Sequence, residues 1–294
     1  MSGLREALVS RRVVVTAEVA PPKGTSLDVA REALKLVGPH VDGINVTDGQ
    51  SSVMRMSAWA LASVVLEEGF HPVLQVTCRD RNRIALQADI LGAYAFGVRS
   101  VLCLTGDHPI SGDHPGAMPV FDLDAVQLLL AVRALMEGRD LSGAQLTGGC
   151  PELFPGAVVN PGATPLSPQL AGMEKKIRAG ARFFQTQAVY DPGRFEAFMK
   201  EAKAFGVPVL AGLLVLKTPK MARFLNEKVA GVHVPDALVK ELSGASSKRE
   251  KAVEIAARLA GELAPMCAGV HVMTLGWDEV LPEILDKSGV KRNV

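Results

Sequence analysis

Short apolar segments alternate with longer helix-patterned segments along the chain, and this alternation constrains the fold more than any other feature. Each short segment is mostly apolar on both faces, as expected of a strand between a barrel interior and outer helices. We predict strands at residues 13–19, 42–48, 71–78, 100–106, 144–149, 182–190, 208–216 and 269–276.

A helical segment follows each predicted strand, so eight strand–helix units with right-handed crossovers are available. The first choice of fold is therefore a closed (β/α)8 TIM barrel, an α/β fold that forms one domain over residues 1–294. An extra helical segment at about 235–267 precedes the last strand. The alternative is a doubly wound open sheet, but no Gly-x-Gly-x-x-Gly turn follows the first strand.

Composition excludes several classes of function. The formal net charge of +1 over 294 residues gives no electrostatic basis for binding nucleic acid or an anionic membrane. No uncharged apolar run reaches the roughly 18 residues of a membrane-spanning helix. The four cysteines are far apart, with neither disulfide spacing nor zinc-site spacing. We expect a cytoplasmic protein without a structural metal.

In a barrel of this type the active site lies at the carboxyl ends of the strands. This rule alone selects a short set of candidate residues, namely Glu18, Thr47, Asp48, Thr77, Asp107, Gln185, Gln187 and Lys217.

Glu18 lies near the end of the first, otherwise apolar strand. Partial desolvation there raises the pKa of a carboxyl group, which suits a general acid. The alternative is a structural glutamate that hydrogen-bonds to the backbone or to a buried lysine. At this barrel position we favour the functional interpretation.

The tetrapeptide Gly-Asp-His-Pro occurs twice, at residues 106–109 and 112–115. A metal site needs several converging ligands, and two Asp-His pairs on one Pro- and Gly-rich loop do not fix such a geometry. Asp107 in the first copy directly follows the fourth strand, whereas Asp113 in the second copy fits a turn-initiating role. We expect Asp107 alone to belong to the site.

Gln185 and Gln187 alternate on the sixth strand and are predicted to share a face. An amide offers both a donor and an acceptor, which suits recognition of a polar heterocycle. The alternative is ordinary solvent-facing polarity at a strand end.

Six segments, taken in order on these strands, resemble the methylenetetrahydrofolate reductase family over nearly the whole chain. Any one of them is a weak match, but six in order at matching barrel positions are specific. They are AEVAPPKG, GINVTDG, VLQVTC, VLCLTGD, KKIRAGARFFQTQAVYD and VHVMTLGW.

The resemblance implies a flavin-dependent barrel that reduces 5,10-methylenetetrahydrofolate to 5-methyltetrahydrofolate in one-carbon metabolism. It implies that Glu18 is the general acid and that Asp107 is the second catalytic residue, helping to hold a cationic iminium. The substrate contacts that it implies are Asp107, Gln187, Lys220 and Phe224. The cofactor contacts that it implies are Thr47, Asp48, Gln75, Thr105, Gly106, Asp107, Asn160 and Lys176.

Several residues depart from the family pattern, and these departures bear on whether the flavin is FAD or FMN. Gln75 replaces a usual histidine, Thr105 replaces a usual arginine, and a tyrosine is usual near Asn160. Because several of these residues hold the AMP half of FAD in the family, FMN becomes a candidate beside FAD. Lys220 replaces a glutamine that contacts folate, and Trp277 replaces an arginine of the last strand's loop.

The expected partners are methylenetetrahydrofolate and an electron donor, either NAD(P)H or a redox subunit. Family members from acetogenic metabolism are subunits of larger complexes, and we expect this chain to be of that kind, in a homo- or hetero-oligomer. Two alternatives remain open. One is a pterin-binding methyltransferase barrel without flavin, and the other is a non-catalytic subunit of a redox complex, which the presence of Glu18, Asp107 and Gln187 argues against.

Overall fold

A computed structural model describes residues 3–10 and 12–290. Within these ranges eight parallel strands close into a barrel in sequence order, and β8 completes the ring by pairing with β1. The predicted (β/α)8 barrel is thereby confirmed. The strands are β1 (Val14–Val19), β2 (Gly43–Val46), β3 (Pro72–Thr77), β4 (Ser100–Leu104), β5 (Phe154–Val159), β6 (Phe183–Ala188), β7 (Val209–Leu214) and β8 (Gly269–Met273).

Helices cover the outside of the barrel and follow the strands in turn, except the first helix, which precedes β1. In the described residues they are α1 (Leu4–Val9), α2 (Asp28–Val37), α3 (Ala58–Glu67), α4 (Arg83–Ala95), α5 (Ala125–Met136), α6 (Ser167–Ala179), α7 (Pro192–Ala202), α8 (Pro219–Lys228), α9 (Asp236–Gly244), α10 (Lys248–Leu263) and α11 (Leu281–Ser288).

The extra helical segment predicted before the last strand is present as α9 and α10. No helix in residues 3–10 and 12–290 is long and apolar enough to cross a membrane. The single-domain range 1–294 stays a prediction, since residues 1, 2, 11 and 291–294 lie outside the described part of the chain.

The prediction of the fifth strand at 144–149 is wrong. That segment is a loop in which Gln145 makes one isolated antiparallel bridge to Arg139. The barrel strand lies later, at Phe154–Val159, and pairs with β4 and β6. The sequence pattern did not predict this strand because it contains Pro155 and Gly156, and proline and glycine are depleted in strand interiors.

Gly156 is required because the ring of Phe183 fills the space that a side chain would occupy. A Cβ atom added at Gly156 would lie 2.2 Å from the Cζ atom of Phe183. Phe183 is fully buried and stacks on Phe154 with ring centroids 5.2 Å apart. The interior near the start of β5 and β6 therefore allows no added methyl group.

We expect Gly156→Ala to lower the free energy of unfolding by about 1–3 kcal/mol, the usual cost of overpacking a core. Denaturant-induced unfolding followed by circular dichroism measures the change. Gly92→Ala is the matched control, because Gly92 lies inside α4 and a Cβ there meets no atom within 4 Å. That control should raise stability by roughly 0.5–1 kcal/mol, and an equal loss in both variants would contradict the packing argument.

The amino-terminal end of the barrel is filled by apolar side chains. Leu4, Ala7 and Leu8 of α1 pack there against interior residues such as Leu102 and Leu210. Because α1 covers this end, the polar groups of the interior are accessible from the carboxyl end. The fold thus places a candidate site where the sequence rule predicts it.

Candidate active site

A central cavity of about 500 Å³ lies at the carboxyl end of the barrel. This volume falls in the range of about 300–1,000 Å³ that small-molecule and cofactor sites occupy. Polar side chains from β1, β3, β6 and β8, from the connections that follow β2, β3 and β4, and from α6 line it. Among them are Glu18, Asp48, Gln50, Gln75, Thr77, Arg79, Thr105, Asp107, Asp124, Lys176, Gln185, Thr186, Gln187 and His271.

Glu18 lies in the wall of this cavity with only 7% of its surface exposed. Burial raises the pKa of its carboxyl group to about 7, and the nearby charge of Asp278 acts in the same direction. The side-chain amide of Gln50 donates a hydrogen bond to Glu18 Oε1 at 3.2 Å, which opposes the rise. A carboxyl group in this state can hold and release a proton near neutral pH.

Glu18 also faces a second, smaller cavity of about 300 Å³. Pro21, Pro22 and residues of α2 line it, together with Asp278, and Gln50 lines both cavities. Glu18 therefore stands between two spaces, and the direction of its carboxyl group determines which of them it serves.

Below the cavity the barrel interior holds a buried polar network. The amides of Asn45 and Gln185 exchange two hydrogen bonds, of 2.7 and 3.1 Å. Thr16 Oγ1 lies 2.9 Å from His271 Nδ1. Burial lowers the pKa of His271 to about 4, so the imidazole is neutral at pH 7. Gln185, selected from the sequence as a heterocycle-binding group, makes these protein contacts instead.

Gln187 is the exposed partner of Gln185 at the cavity rim. The register between β6 and β7 shifts between Gln185 and Ala188. Thr186 stabilises this irregularity, since its hydroxyl donates to Gln187 O and accepts from Gly212 N. Both glutamines line the cavity, as expected from their spacing, but Gln187 is the one with an accessible side chain.

Asp48 fixes the cavity wall between β2 and β3. Its Oδ2 atom accepts hydrogen bonds from the backbone N–H of Thr77 at 2.8 Å and the Thr77 hydroxyl at 2.9 Å. Arg81 also pairs with Asp48, and a second carboxylate, Asp89, lies 2.8 Å from the same guanidinium group. The neighbouring Thr47 hydroxyl is buried without a hydrogen-bond partner among the described residues.

The loop after β4 carries Thr105, Gly106 and Asp107 into the cavity lining. Gly106 has a φ of +92°, and an added Cβ there would lie 3.1 Å from Thr77 Cβ. The exposed Asp107 follows directly, so its carboxylate lies at the cavity mouth. Thr105 Oγ1 accepts from the backbone N–H of Ala125 at the start of α5.

Lys176 of α6 reaches the same cavity from the side of β5. Its ammonium group donates to Val158 O at 2.7 Å. Burial lowers the pKa of this lysine, and the charge of Asp124 partly opposes that effect. Gln75 of β3 also lines the cavity, so two further cofactor candidates lie where the sequence indicates.

The second Gly-Asp-His-Pro copy holds a loop in place. Asp113 forms an ion pair with Lys23, accepts from Met54 N at 2.9 Å and contacts His114. The hydrogen bond from Lys23 keeps the pKa of Asp113 far below its ordinary value. Among the described residues no group of three or more His, Cys, Asp or Glu side chains could hold a metal ion.

Thr47 does not line the cavity, and neither do three further predicted site residues, Asn160, Lys220 and Phe224. Asn160 uses its amide within the protein, donating to Ala230 O and accepting from Gly162 N. Lys220 and Phe224 are exposed on α8, and 57% of the Phe224 side chain is accessible. The structure does not bring these three residues to the groups around Glu18.

Lys217 also lies outside the cavity lining. It donates to Leu275 O at 2.6 Å, and its ammonium group lies 4.9 Å from the centroid of the Trp277 ring. Lys217 therefore links the loops that follow β7 and β8.

Sequence reasoning missed Gln50 and Arg79, which both line the cavity. Arg79 is 5% exposed and pairs with Asp80 at 2.7 Å. Its position two residues beyond β3 was a usable indication, since charged residues just beyond a barrel strand point to the site. Gln50 lies four residues beyond β2 on a turn, and the sequence alone does not reveal its direction.

The family model for methylenetetrahydrofolate reductase matches residues 3–289. The chain belongs to the methylenetetrahydrofolate reductase family. It is 25% identical over 296 residues to a 5,10-methylenetetrahydrofolate reductase of Pectobacterium carotovorum, covering 96% of this chain and 92% of that protein. A probable methylenetetrahydrofolate reductase (NADPH) of Caenorhabditis elegans is 26% identical over 245 residues.

The chain covers very different shares of these relatives. The match to the Caenorhabditis elegans protein spans 80% of this chain but 35% of that one, and a Schizosaccharomyces pombe relative is likewise matched over 35% of its length. Among solved structures, a Clostridium thermocellum protein that binds two copies of 5-methyl-5,6,7,8-tetrahydrofolic acid has a TM-score of 0.69 at 14% identity. The match covers 98% of this chain and 99% of that one, so the two share the fold.

Proposed function

We propose that this protein is a flavin-dependent oxidoreductase that reduces 5,10-methylenetetrahydrofolate to 5-methyltetrahydrofolate. The observation that carries the proposal is Glu18, a buried carboxyl group with a pKa of about 7 in the wall of a ligand-sized cavity. Asp107 and Gln187 line the same cavity. Membership of the reductase family supports the same reaction.

The cavity fits a flavin in several respects. Asp48, a flavin contact by resemblance, lines the cavity, whereas the buried Thr47 beside it does not. Gly106 and Gln75, two further flavin contacts by resemblance, line the cavity. Lys176 offers a cation for a phosphate group. When bound, a flavin supplies hydride transfer.

The chain's own residues supply the acid and the charge. Glu18, protonated below about pH 7, would donate its proton to the substrate nitrogen and open the imidazolidine ring. Asp107 would stabilise the resulting cationic iminium with its carboxylate. Gln187 would orient the pterin through paired donor and acceptor atoms. The cavity would hold the substrate against the hydride donor.

The finer assignments follow from the same residues. Thr105 stands where the family usually has an arginine, and the amide of Asn160 is engaged within the protein, so FMN is a candidate beside FAD, the flavin of the family. The electron donor is NAD(P)H or a redox subunit, and we propose a homo- or hetero-oligomer. Four free cysteines support a reducing compartment such as the cytoplasm.

The test begins with the colour of the purified protein. We expect a yellow protein whose released flavin is identified by mass and whose flavin, once reduced, is reoxidised by methylenetetrahydrofolate under anaerobic conditions. A colourless protein that binds methyltetrahydrofolate would support the methyltransferase alternative. A flavoprotein that fails to reduce methylenetetrahydrofolate would contradict the proposed reaction.

A further inference from the structure

Gln50 is an uncharged residue whose side chain hydrogen-bonds to Glu18. Its Nε2 atom donates to Glu18 Oε1 at 3.2 Å, and both residues line the central cavity and the second cavity. Gln50 is half-buried and lies on the loop between β2 and α3. It therefore touches the acid from the boundary between the two spaces.

The backbone that carries Gln50 is strained. Gly49 has a φ of +56°, and Ser51 and Ser52 have φ values of +56° and +58°. Serine rarely adopts this left-handed region, and such outliers persist only where the surrounding structure enforces them. The turn from Gly49 to Ser52 is thus held in a conformation that it would not adopt alone.

Two neighbouring loops enforce this turn. Arg79 donates to Gly49 O at 3.1 Å and to Ser52 Oγ at 3.3 Å. Ser52 Oγ in turn donates to Asp107 O at 2.8 Å. A Cβ atom at Gly112 would lie 1.9 Å from Ser52 O, so the loop after β4 packs directly on the turn. Arg79 and the β4 loop together fix the position from which Gln50 reaches Glu18.

We propose that Gln50 is a positioning residue that holds the Glu18 carboxyl group in the wall of the central cavity through the hydrogen bond from its amide. The inference rests on the proposed function, since it assigns a role relative to the general acid. A donor to the carboxylate also stabilises the ionised form, so Gln50 counteracts the burial that keeps Glu18 protonated.

Charged groups on several elements also face this region. Asp278, on the loop after β8, raises the pKa of Glu18 through its charge. Arg55 lines the second cavity and donates to Pro21 O at 3.1 Å. The remaining titratable or charged groups of the central cavity are Asp48, Arg79, Asp107, Asp124, Lys176 and His271. Within the described residues, the Glu18 carboxylate accepts its side-chain hydrogen bond from Gln50 and not from any of these charged groups.

The variant Gln50→Met removes the donor and keeps the length of the side chain. Because the ionised form then loses its hydrogen bond, we expect the pKa of Glu18 to rise by about one unit. The measurement is carbon-13 NMR of protein labelled at glutamate carboxyl carbons, with the Glu18 signal identified by its loss in Glu18→Gln. The alkaline limb of the pH–rate profile should move upward by the same amount.

Gln87→Met is the matched control, because Gln87 hydrogen-bonds to Arg83 O and Leu141 N and lines neither cavity. It should leave both the Glu18 titration and the pH–rate profile unchanged. An unchanged Glu18 titration in Gln50→Met would overturn the inference. If the titration shifts in Gln50→Met but the wild-type protein does not reduce methylenetetrahydrofolate, the Gln50 contact is upheld and the proposed function is refuted.

Discussion

We expect Glu18→Gln to slow the reduction of methylenetetrahydrofolate by about 10²- to 10⁴-fold, the usual contribution of a general acid. Glutamine keeps the size of the side chain and a hydrogen-bonding end, but it cannot transfer a proton at neutral pH. Single-turnover reoxidation of the reduced flavin by methylenetetrahydrofolate, followed by absorbance, measures the effect on the chemical step.

The pH dependence of the rate of methylenetetrahydrofolate reduction tests the same assignment of Glu18 as the acid. The pKa of Glu18 is about 7, so the acid is protonated and competent below that value. The rate of the wild-type protein should therefore fall about tenfold for each pH unit above 7, since the protonated fraction falls in that proportion. In Glu18→Gln this limb should be absent.

Reduction of the flavin by its electron donor requires no proton from Glu18, and it is the internal control. That step should keep its wild-type rate in Glu18→Gln. If methylenetetrahydrofolate were reduced at the wild-type rate by the variant, the assignment of Glu18 as the acid would be wrong. If both steps were slowed equally, a general disturbance of the cavity would be the explanation.

Periodicity was sufficient to predict most of the barrel, because strands buried on both faces are short apolar runs between amphipathic helices. The fifth strand shows where this reasoning fails. The strand contains Pro155 and Gly156, and Gly156 makes room there for the ring of Phe183. Local propensity disfavours both residues in a strand, and the packing that overrides it involves the next strand.

The rule that active sites lie at the carboxyl ends of barrel strands was sufficient to select Glu18, Asp48 and Asp107, which all line the central cavity. It could not find Gln50, whose direction depends on a left-handed turn and on Arg79 from another strand. It also could not show that Gln185 bonds to Asn45 across the barrel. Both facts depend on contacts between residues far apart in sequence.

The residues assigned by resemblance differ in whether they line the central cavity. Lys176 and Gln75 lie on regular elements and reach the cavity. Lys220 and Phe224 lie on α8, whose exposed face does not line it. Because Lys176 lies on an outer helix, α6, just as Lys220 and Phe224 lie on α8, the type of element does not decide which residues reach the cavity. At 25% identity each position transferred by resemblance depends on how its own helix is oriented.

Asp107→Asn is expected to lower the rate of methylenetetrahydrofolate reduction by about 10²-fold, the loss typical when one group that stabilises a developing charge is removed. Asparagine has nearly the same shape, so the cavity keeps its form while the carboxylate charge disappears. Because the charge acts on a cationic iminium, we expect the loss mainly in the rate of the chemical step. Single-turnover kinetics at saturating substrate measure it.

Asp113→Asn is the matched control, since it makes the same change in the second copy of the same tetrapeptide. Asp113 pairs with Lys23 and Met54 N and does not line the central cavity, so its loss should loosen the loop and change the rate only a few fold. Equal losses in both variants would mean that Asp107, too, acts through loop structure. A loss confined to Asp107→Asn would show that position at the end of β4, rather than the motif itself, determines which aspartate takes part in the reaction.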